Sequence, residues 1–245
     1  MRAKMIKMCN YINENDCVMK WSEEAWERSR KIYAGILEEP FLKELAAGTL
    51  PEEKFARYIA QDEVYLGNYG RQMYELADRM PVAEEREMFR AFADAGMEGE
   101  KLMHQLLIDR FGIDLAVEGS VVTKAYNAHT QRAVDSGSRE VGLAAMLPCM
   151  WIYNRVGLHI LEVATLEGNP YKEWIEEYGN EEFTAGVNGV VEMIDAWAEK
   201  VDAATREEMT EAYLEAALYE YAFWDYGYNG EEKDYSYCKS LKEWI

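Results

Sequence analysis

The feature that most restricts how this chain can fold is a helical periodicity that runs almost without a break. Apolar residues recur at intervals of three and four along most of the 245 residues, and sustained alternation of apolar and polar residues is hard to find. Only five prolines occur, most of them where helices begin or break. The pattern predicts seven or eight helices without a linker, and therefore a single all-α domain.

Capping and breaking residues predict where these helices begin and end. Ser22 is expected to cap the first helix, Gly48 to end the second, and Pro148 to kink and interrupt a long apolar one. Residues 1–20 are interpreted as an appended arm, which leaves 21–245 as the domain. The expected helices cover about 22–38, 41–47, 51–80, 82–110, 121–136, 138–166, 181–200 and 205–228, with a short one that opens at Pro170.

The charge balance restricts the class of partner. Acidic residues number 46 and basic residues 26, which gives a net charge of −20. Nucleic-acid binding and docking on an anionic membrane both need clustered Lys and Arg, so neither is expected. No apolar stretch approaches the roughly 20 residues of a membrane-spanning helix. The four cysteines are dispersed, as in a reduced, cytoplasmic protein.

Two carboxylates lie on helix faces that are otherwise apolar. Asp62 falls one turn from Tyr65, and Glu220 falls among Tyr213, Phe223 and other aromatic residues. A buried charge is costly unless it is paired, so each could be a structural group or an active-site acid. For Glu220, few basic residues are available as buried partners, and desolvation is expected to raise its pKa towards the neutral range that suits proton donation.

A lone cysteine lies in the most apolar helix. Cys149 follows Pro148 within a segment, 141–152, that is apolar on nearly all faces, and Tyr153 lies one turn further on. Most buried cysteines are inert small hydrophobic residues. The alternative is a nucleophile.

The histidines give little support for a metal or haem site. Glu100 and His104 are four residues apart and could be two ligands on one helix face, as in carboxylate-bridged metal sites. A second Glu-x-x-His is absent, because Tyr126 stands three residues before His129. We therefore expect neither a metal nor a haem.

Several short segments occur together in one order. They are Gly48-Thr-Leu-Pro followed by Phe55 and Tyr58, Gln61-Asp-Glu-Val-Tyr-Leu, Glu100 to His104, Ala125-Tyr-Asn-Ala-His, Leu147-Pro-Cys-Met-Trp-Ile-Tyr, Tyr171 to Tyr178-Gly, and Leu218-Tyr-Glu-Tyr-Ala-Phe-Trp. In this order, over about residues 22–228, the chain resembles the thiaminase II (TenA) family. The resemblance implies a heme-oxygenase-like, all-α helical bundle.

The resemblance also implies an activity and a set of site residues. Such enzymes hydrolyse 5-aminomethyl-4-amino-2-methylpyrimidine to the 5-hydroxymethyl compound in thiamin salvage, and many also cleave thiamin. The family's nucleophile falls on Cys149, its acid–base residue on Glu220 and its pyrimidine-binding aspartate on Asp62. Its substrate-contacting tyrosines fall on Tyr65, Tyr126, Tyr153 and Tyr178. The partner is then a small aminopyrimidine or thiamin, no metal or organic cofactor is needed, and the assembly is a homotetramer.

The chain departs from the family pattern near the aspartate. Glu63 and Val64 replace the serine or threonine and the aromatic residue that are common there, and Asn169-Pro170 replaces His-Pro. Glu63 would alter the charge of the pocket if it pointed inward. The presence of Cys149 is typical of the cysteine-containing branch. Two alternatives stay open on the same fold: a non-catalytic pyrimidine-binding or regulatory protein, and a metal-dependent oxygenase.

Overall fold

The structure, a computed structural model, describes residues 19–233 and contains nine helices and no strand within that range. In chain order they are α1 (Trp21–Glu38), α2 (Pro40–Ala47), α3 (Glu52–Asp78), α4 (Ala83–Phe111), α5 (Val121–Asp135), α6 (Arg139–Val163), α7 (Lys172–Tyr178), α8 (Glu181–Ala198) and α9 (Ala203–Asn229). The all-α fold is confirmed. The described range holds nine helices against the seven or eight expected, and the short helices α2 and α7 lie where short helices were predicted. Most of the predicted arm, 1–20, lies outside the described residues.

Side-chain caps define several helix starts. Ser120, Ser138, Asn180 and Asp202 each accept a hydrogen bond from the backbone N–H three residues further on, which satisfies one of the free donors of the first turn. Gly48 ends α2 with a φ of 70°, a left-handed conformation that a glycine adopts without strain. The cap predicted there is confirmed.

The cap predicted at Ser22 is wrong. α1 begins one residue earlier, at Trp21, and Ser22 lies buried in its first turn. The backbone N–H and Oγ of Ser22 donate hydrogen bonds of 2.8 Å each to Oδ1 and Oδ2 of Asp195 on α8. The hydroxyl therefore ties two helices together and does not cap its own.

α6 is the central helix of the bundle. It packs most extensively against α9 and also contacts α5, α7 and α8. It runs through Pro148 as one continuous helix, so the predicted interruption is wrong. Neighbouring helices pack against it on several sides, and this packing offsets the local cost of the proline. By length and composition α6 could cross a membrane, but 83% of its most apolar window is buried inside the protein. That burial is typical of a core helix.

Candidate active site

All seven side chains that the sequence singles out line one cavity of about 280 Å³. Asp62 and Tyr65 come from α3, Tyr126 from α5, Cys149 and Tyr153 from α6, Tyr178 from α7 and Glu220 from α9. Binding sites for small ligands have this character: concave, mostly apolar and aromatic walls with a few polar groups.

Aromatic rings form the walls of this cavity. The ring centroids of Tyr65 and Tyr126 are 4.7 Å apart, and those of Tyr153 and Tyr178 are 5.2 Å apart. The Tyr65 hydroxyl is buried and lies near the polar groups of Cys149 and Tyr126, but it makes no hydrogen bond of good geometry. Since buried polar groups are normally paired, this hydroxyl is available to a polar edge of a ligand.

Glu220 is a buried acid with one close partner. The side chain is 1% exposed, and Tyr126 Oη donates a hydrogen bond of 2.6 Å to Glu220 Oε1. Burial raises the pKa of Glu220 to about 8, although the hydrogen bond from Tyr126 opposes this shift. The carboxyl group is therefore largely protonated at neutral pH and can donate a proton to a ligand.

Asp62 is also buried, at 4% exposure, and its carboxylate contacts two polar neighbours. Tyr58 Oη lies 3.2 Å from both Asp62 Oδ2 and Tyr153 Oη, and His104 Nε2 lies 3.5 Å from Asp62 Oδ2. The expected tyrosine partner of a structural aspartate is therefore present. The carboxylate nevertheless lines the cavity, so it can contact a ligand as well.

Cys149 has a free thiol that reaches the same cavity as Asp62 and Glu220. Burial raises the pKa of this thiol well above its ordinary value, and the carboxyl groups of Glu220, Glu100 and Asp62 raise it further. The resting thiol is thus neutral. It must lose its proton as it attacks, because the thiolate is the nucleophilic form.

Three further residues of the cavity wall were not predicted as site residues: Leu66, Glu100 and Phe223. Burial raises the pKa of Glu100 to about 8, and the negative charge of nearby Asp62 raises it further. Tyr178 Oη donates a 3.0 Å hydrogen bond to Glu100 Oε1. The spacing of Glu100 and His104 was the available signal. Of these two residues, Glu100 lines the cavity and His104 does not. Among residues 19–233, no group of three or more His, Cys, Asp or Glu side chains is placed to hold a metal ion.

One glycine sets the position of Tyr178. A Cβ on Gly157 of α6 would lie 2.5 Å from the carbonyl carbon and oxygen of Tyr178. Only glycine lets the end of α7 approach α6 this closely. The approach brings the Tyr178 ring to the cavity beside Tyr153.

A second, more apolar cavity of about 370 Å³ adjoins the first. The two share Leu66, Glu100 and Cys149 as lining residues. The remaining walls of the second cavity are mostly methionine and aromatic side chains, namely Tyr69, Met73, Phe92, Met97, Met150 and Phe183. The sulfur of Cys149 therefore stands between a polar, aromatic cavity and an apolar one.

Comparison with known proteins relates this site to a family. The chain matches the TENA/THI-4/PQQC family over residues 26–230. It is 30% identical over 231 residues to an aminopyrimidine aminohydrolase of Bacillus subtilis, covering 92% of this chain and 97% of that protein. It is also 30% identical over 200 residues to the thiamine biosynthesis multifunctional protein ThiED of Corynebacterium glutamicum, covering 82% of this chain and 26% of that protein.

A solved structure agrees with this relationship. A TenA homologue from Pyrococcus furiosus superposes with a TM-score of 0.80 at 25% identity, covering 85% of this chain and all of that one. The family match runs from within α1 to the end of α9 and so includes all six helices that line the cavity: α3, α4, α5, α6, α7 and α9. The chain belongs to the TENA/THI-4/PQQC family.

Proposed function

We propose that this protein hydrolyses 5-aminomethyl-4-amino-2-methylpyrimidine to the 5-hydroxymethyl pyrimidine and ammonia, as a step of thiamin salvage. The observation that carries the proposal is that Cys149, Asp62 and Glu220, from three different helices, line one cavity with aromatic walls. The name of the Bacillus subtilis relative, an aminopyrimidine aminohydrolase, supports the same class of substrate.

The cavity matches the chemistry of an aminopyrimidine. Such a ring is apolar on its faces and polar at its edge, so tyrosine rings suit the faces and carboxyl groups suit the edge. Asp62 accepts a hydrogen bond from the 4-amino group. Tyr65, whose buried hydroxyl makes no hydrogen bond of good geometry within the protein, bonds another polar atom of the edge.

The first chemical step forms a covalent adduct. Glu220 donates its proton to a ring nitrogen, which makes the ring electrophilic. The sulfur of Cys149 bonds to a ring carbon, and the thiol proton passes to the amino group that will leave. The ring electrons then break the bond between the methylene carbon and nitrogen, ammonia departs, and the ring nitrogen returns its proton to Glu220.

The second step restores the enzyme. Water adds to the exocyclic methylene carbon, with one of its protons passing through Glu220 to the ring nitrogen. The bond between carbon and the Cys149 sulfur then breaks, and the thiol takes up that proton. Splitting a difficult displacement into two easier steps in this way is the advantage of nucleophilic catalysis.

The adjoining apolar cavity bears on thiamin as a second substrate. A leaving group larger than ammonia needs room on the far side of the methylene carbon, and the second cavity begins at Cys149 and Glu100. We therefore include cleavage of thiamin in the proposal. The proposal also includes a small-molecule substrate, a homotetrameric assembly and a cytoplasmic location. Light scattering of the purified protein tests the assembly.

Release of ammonia from the aminomethylpyrimidine is the test. The wild type is expected to release one ammonia per hydroxymethylpyrimidine formed, and Cys149→Ser to lose nearly all turnover while it retains the wild-type melting temperature. Turnover by Cys149→Ser close to that of the wild type would remove Cys149 from the mechanism. Tight pyrimidine binding without turnover by the wild type would instead indicate a non-catalytic binding protein.

A further inference from the structure

A histidine outside the cavity wall joins Asp62 to the neighbouring Glu63. His104, on α4, is 1% exposed. Its Nδ1 lies 2.5 Å from Glu63 Oε1, and its Nε2 lies 3.5 Å from Asp62 Oδ2. The Glu63 side chain is 37% exposed and lies away from the cavity, so the imidazole stands between a buried carboxylate and one that reaches the surface.

The geometry favours one form of the imidazole. Nδ1 is hydrogen-bonded to Glu63, whereas Nε2 is buried without a hydrogen bond, and the nearby acceptor is the Asp62 carboxylate, at ion-pair distance. Carboxylates only accept hydrogen bonds. A neutral imidazole has one nitrogen without a proton, which would then face an oxygen lone pair. The imidazolium has a proton on both nitrogens and suits both neighbours.

The surrounding charges act in the same direction. Three carboxyl groups favour a positive charge on the ring: Asp62 and Glu63 on α3, and Glu100 on α4. Lys101 lies near the Glu63 carboxylate. Glu177 and the Tyr178 hydroxyl, both on α7, lie near Glu100. Burial by itself lowers the pKa of His104, but the bonds and charges of Asp62 and Glu63 outweigh it and raise the pKa to about 10.

We propose that His104 is a positioning residue, kept as an imidazolium by Glu63, that holds the Asp62 carboxylate directed at the substrate's amino edge. The effect on catalysis rests on the proposed function; the protonation of the ring does not. Glu63 stands where a serine or threonine is common in the family that the chain resembles. The carboxylate here places a full negative charge on Nδ1, so this protein keeps the imidazolium to higher pH than a hydroxyl partner would.

A spectroscopic test needs no activity. The ring signals of His104, assigned in a two-dimensional NMR spectrum by their loss in His104→Gln, should stay those of the charged ring up to at least pH 8. In Glu63→Gln the ring should lose its proton at a pH lower by about one unit or more, because a charged partner is replaced by a neutral amide. Glu98→Gln, which removes an exposed charge from the same helix, should leave the titration unchanged.

A kinetic test separates positioning from a general effect on folding. His104→Gln should raise the KM for the aminomethylpyrimidine about tenfold, as for loss of a charged hydrogen-bonding partner, with a smaller change in kcat. In an Asp62→Asn background the same substitution should have little further effect, because its influence passes through Asp62. Glu63→Gln, at a partly exposed site, should reproduce the rise in KM above pH 8 and not at pH 6.5.

Three results would overturn the proposal. One is a His104 ring that is neutral at pH 7 in the wild type. Another is a full, multiplicative loss when His104→Gln is combined with Asp62→Asn. The third is a Glu63→Gln variant whose KM and His104 titration match the wild type. A wild type without aminohydrolase activity would refute the proposed function but leave the NMR test of the ring decisive.

Discussion

Tyr126 and Glu220 are joined by a hydrogen bond of 2.6 Å, in which a hydroxyl on α5 donates to an acid on α9 that has almost no contact with solvent. The two effects on the acid are opposed, since burial raises the pKa of Glu220 and the hydrogen bond lowers it. The net value of about 8 places the loss of the Glu220 proton just above neutral pH.

We therefore expect kcat to fall as the pH rises through about 8, because Glu220 then loses the proton that it donates. Tyr126→Phe removes the opposing hydrogen bond, so the fall should move to higher pH, by up to about one unit. Glu220→Gln should lower kcat about 100-fold or more and abolish this limb. A pH profile of kcat for the three proteins checks both results; an unmoved limb in Tyr126→Phe would show that another group controls it.

Stability is expected to decrease as the pH rises from 5 to 9. Burial raises the pKa of both Glu100 and Glu220 from 4.5 to about 8, and the nearby charge of Asp62 adds to the shift. Burial lowers the pKa of His104, but its interactions with Asp62 and Glu63 outweigh this and raise it from 6.5 to about 10. Between the ordinary and the raised pKa, the folded protein binds a proton that the unfolded chain does not. The free energy of unfolding therefore falls with increasing pH.

The measurement is urea unfolding at several pH values between 5 and 9. Glu100→Gln should flatten the slope between pH 5 and 8, because an amide cannot ionise. A slope in Glu100→Gln equal to that of the wild type would contradict the raised pKa of this group.

Gly157→Ala should damage both stability and activity. The added methyl would meet the Tyr178 carbonyl at 2.5 Å, so α7 must move away from α6. Overpacking of this kind costs about 1–3 kcal/mol, and it displaces the Tyr178 ring from the cavity. Gly189→Ala is the matched control, since a methyl there meets nothing within 4 Å in a helix. It should leave activity unchanged and raise stability by up to about 1 kcal/mol.

Ser22→Ala should lower stability without changing kcat. The variant removes one of the two hydrogen bonds from Ser22 to Asp195, so Oδ2 of this buried carboxylate loses a hydrogen-bond donor. The expected cost is about 1–3 kcal/mol. The pair lies outside the residues that line the cavity, so kcat measured below the melting temperature should match the wild type.

Periodicity and the cost of burying a charge point to two of the seven predicted site residues. Asp62 and Glu220 stand out because each interrupts an apolar helix face, and both are buried at the cavity. Cys149 and the four tyrosines carry no such signal, because apolar and aromatic residues in a helix are normally core. The family resemblance supplied them.

Contacts between helices are what the sequence leaves out. The bond of Ser22 to Asp195 joins α1 to α8, and the His104 contacts join α4 to α3; neither partner can be named until the packing is known. The uninterrupted α6 is a related case. The cost of Pro148 is local, whereas the packing that keeps the helix whole comes from distant segments.

The cavity is built from side chains within helices, and none of its lining residues comes from a connecting loop. In many enzymes a loop can loosen and abolish activity while the rest of the protein stays folded. Here most of the cavity wall stands on long helices that also form the hydrophobic core, so losing those side chains requires the separation of core helices. Inactivation by heat and melting of the bundle should consequently follow a single curve, and a ligand in the cavity should protect the most slowly exchanging backbone amides.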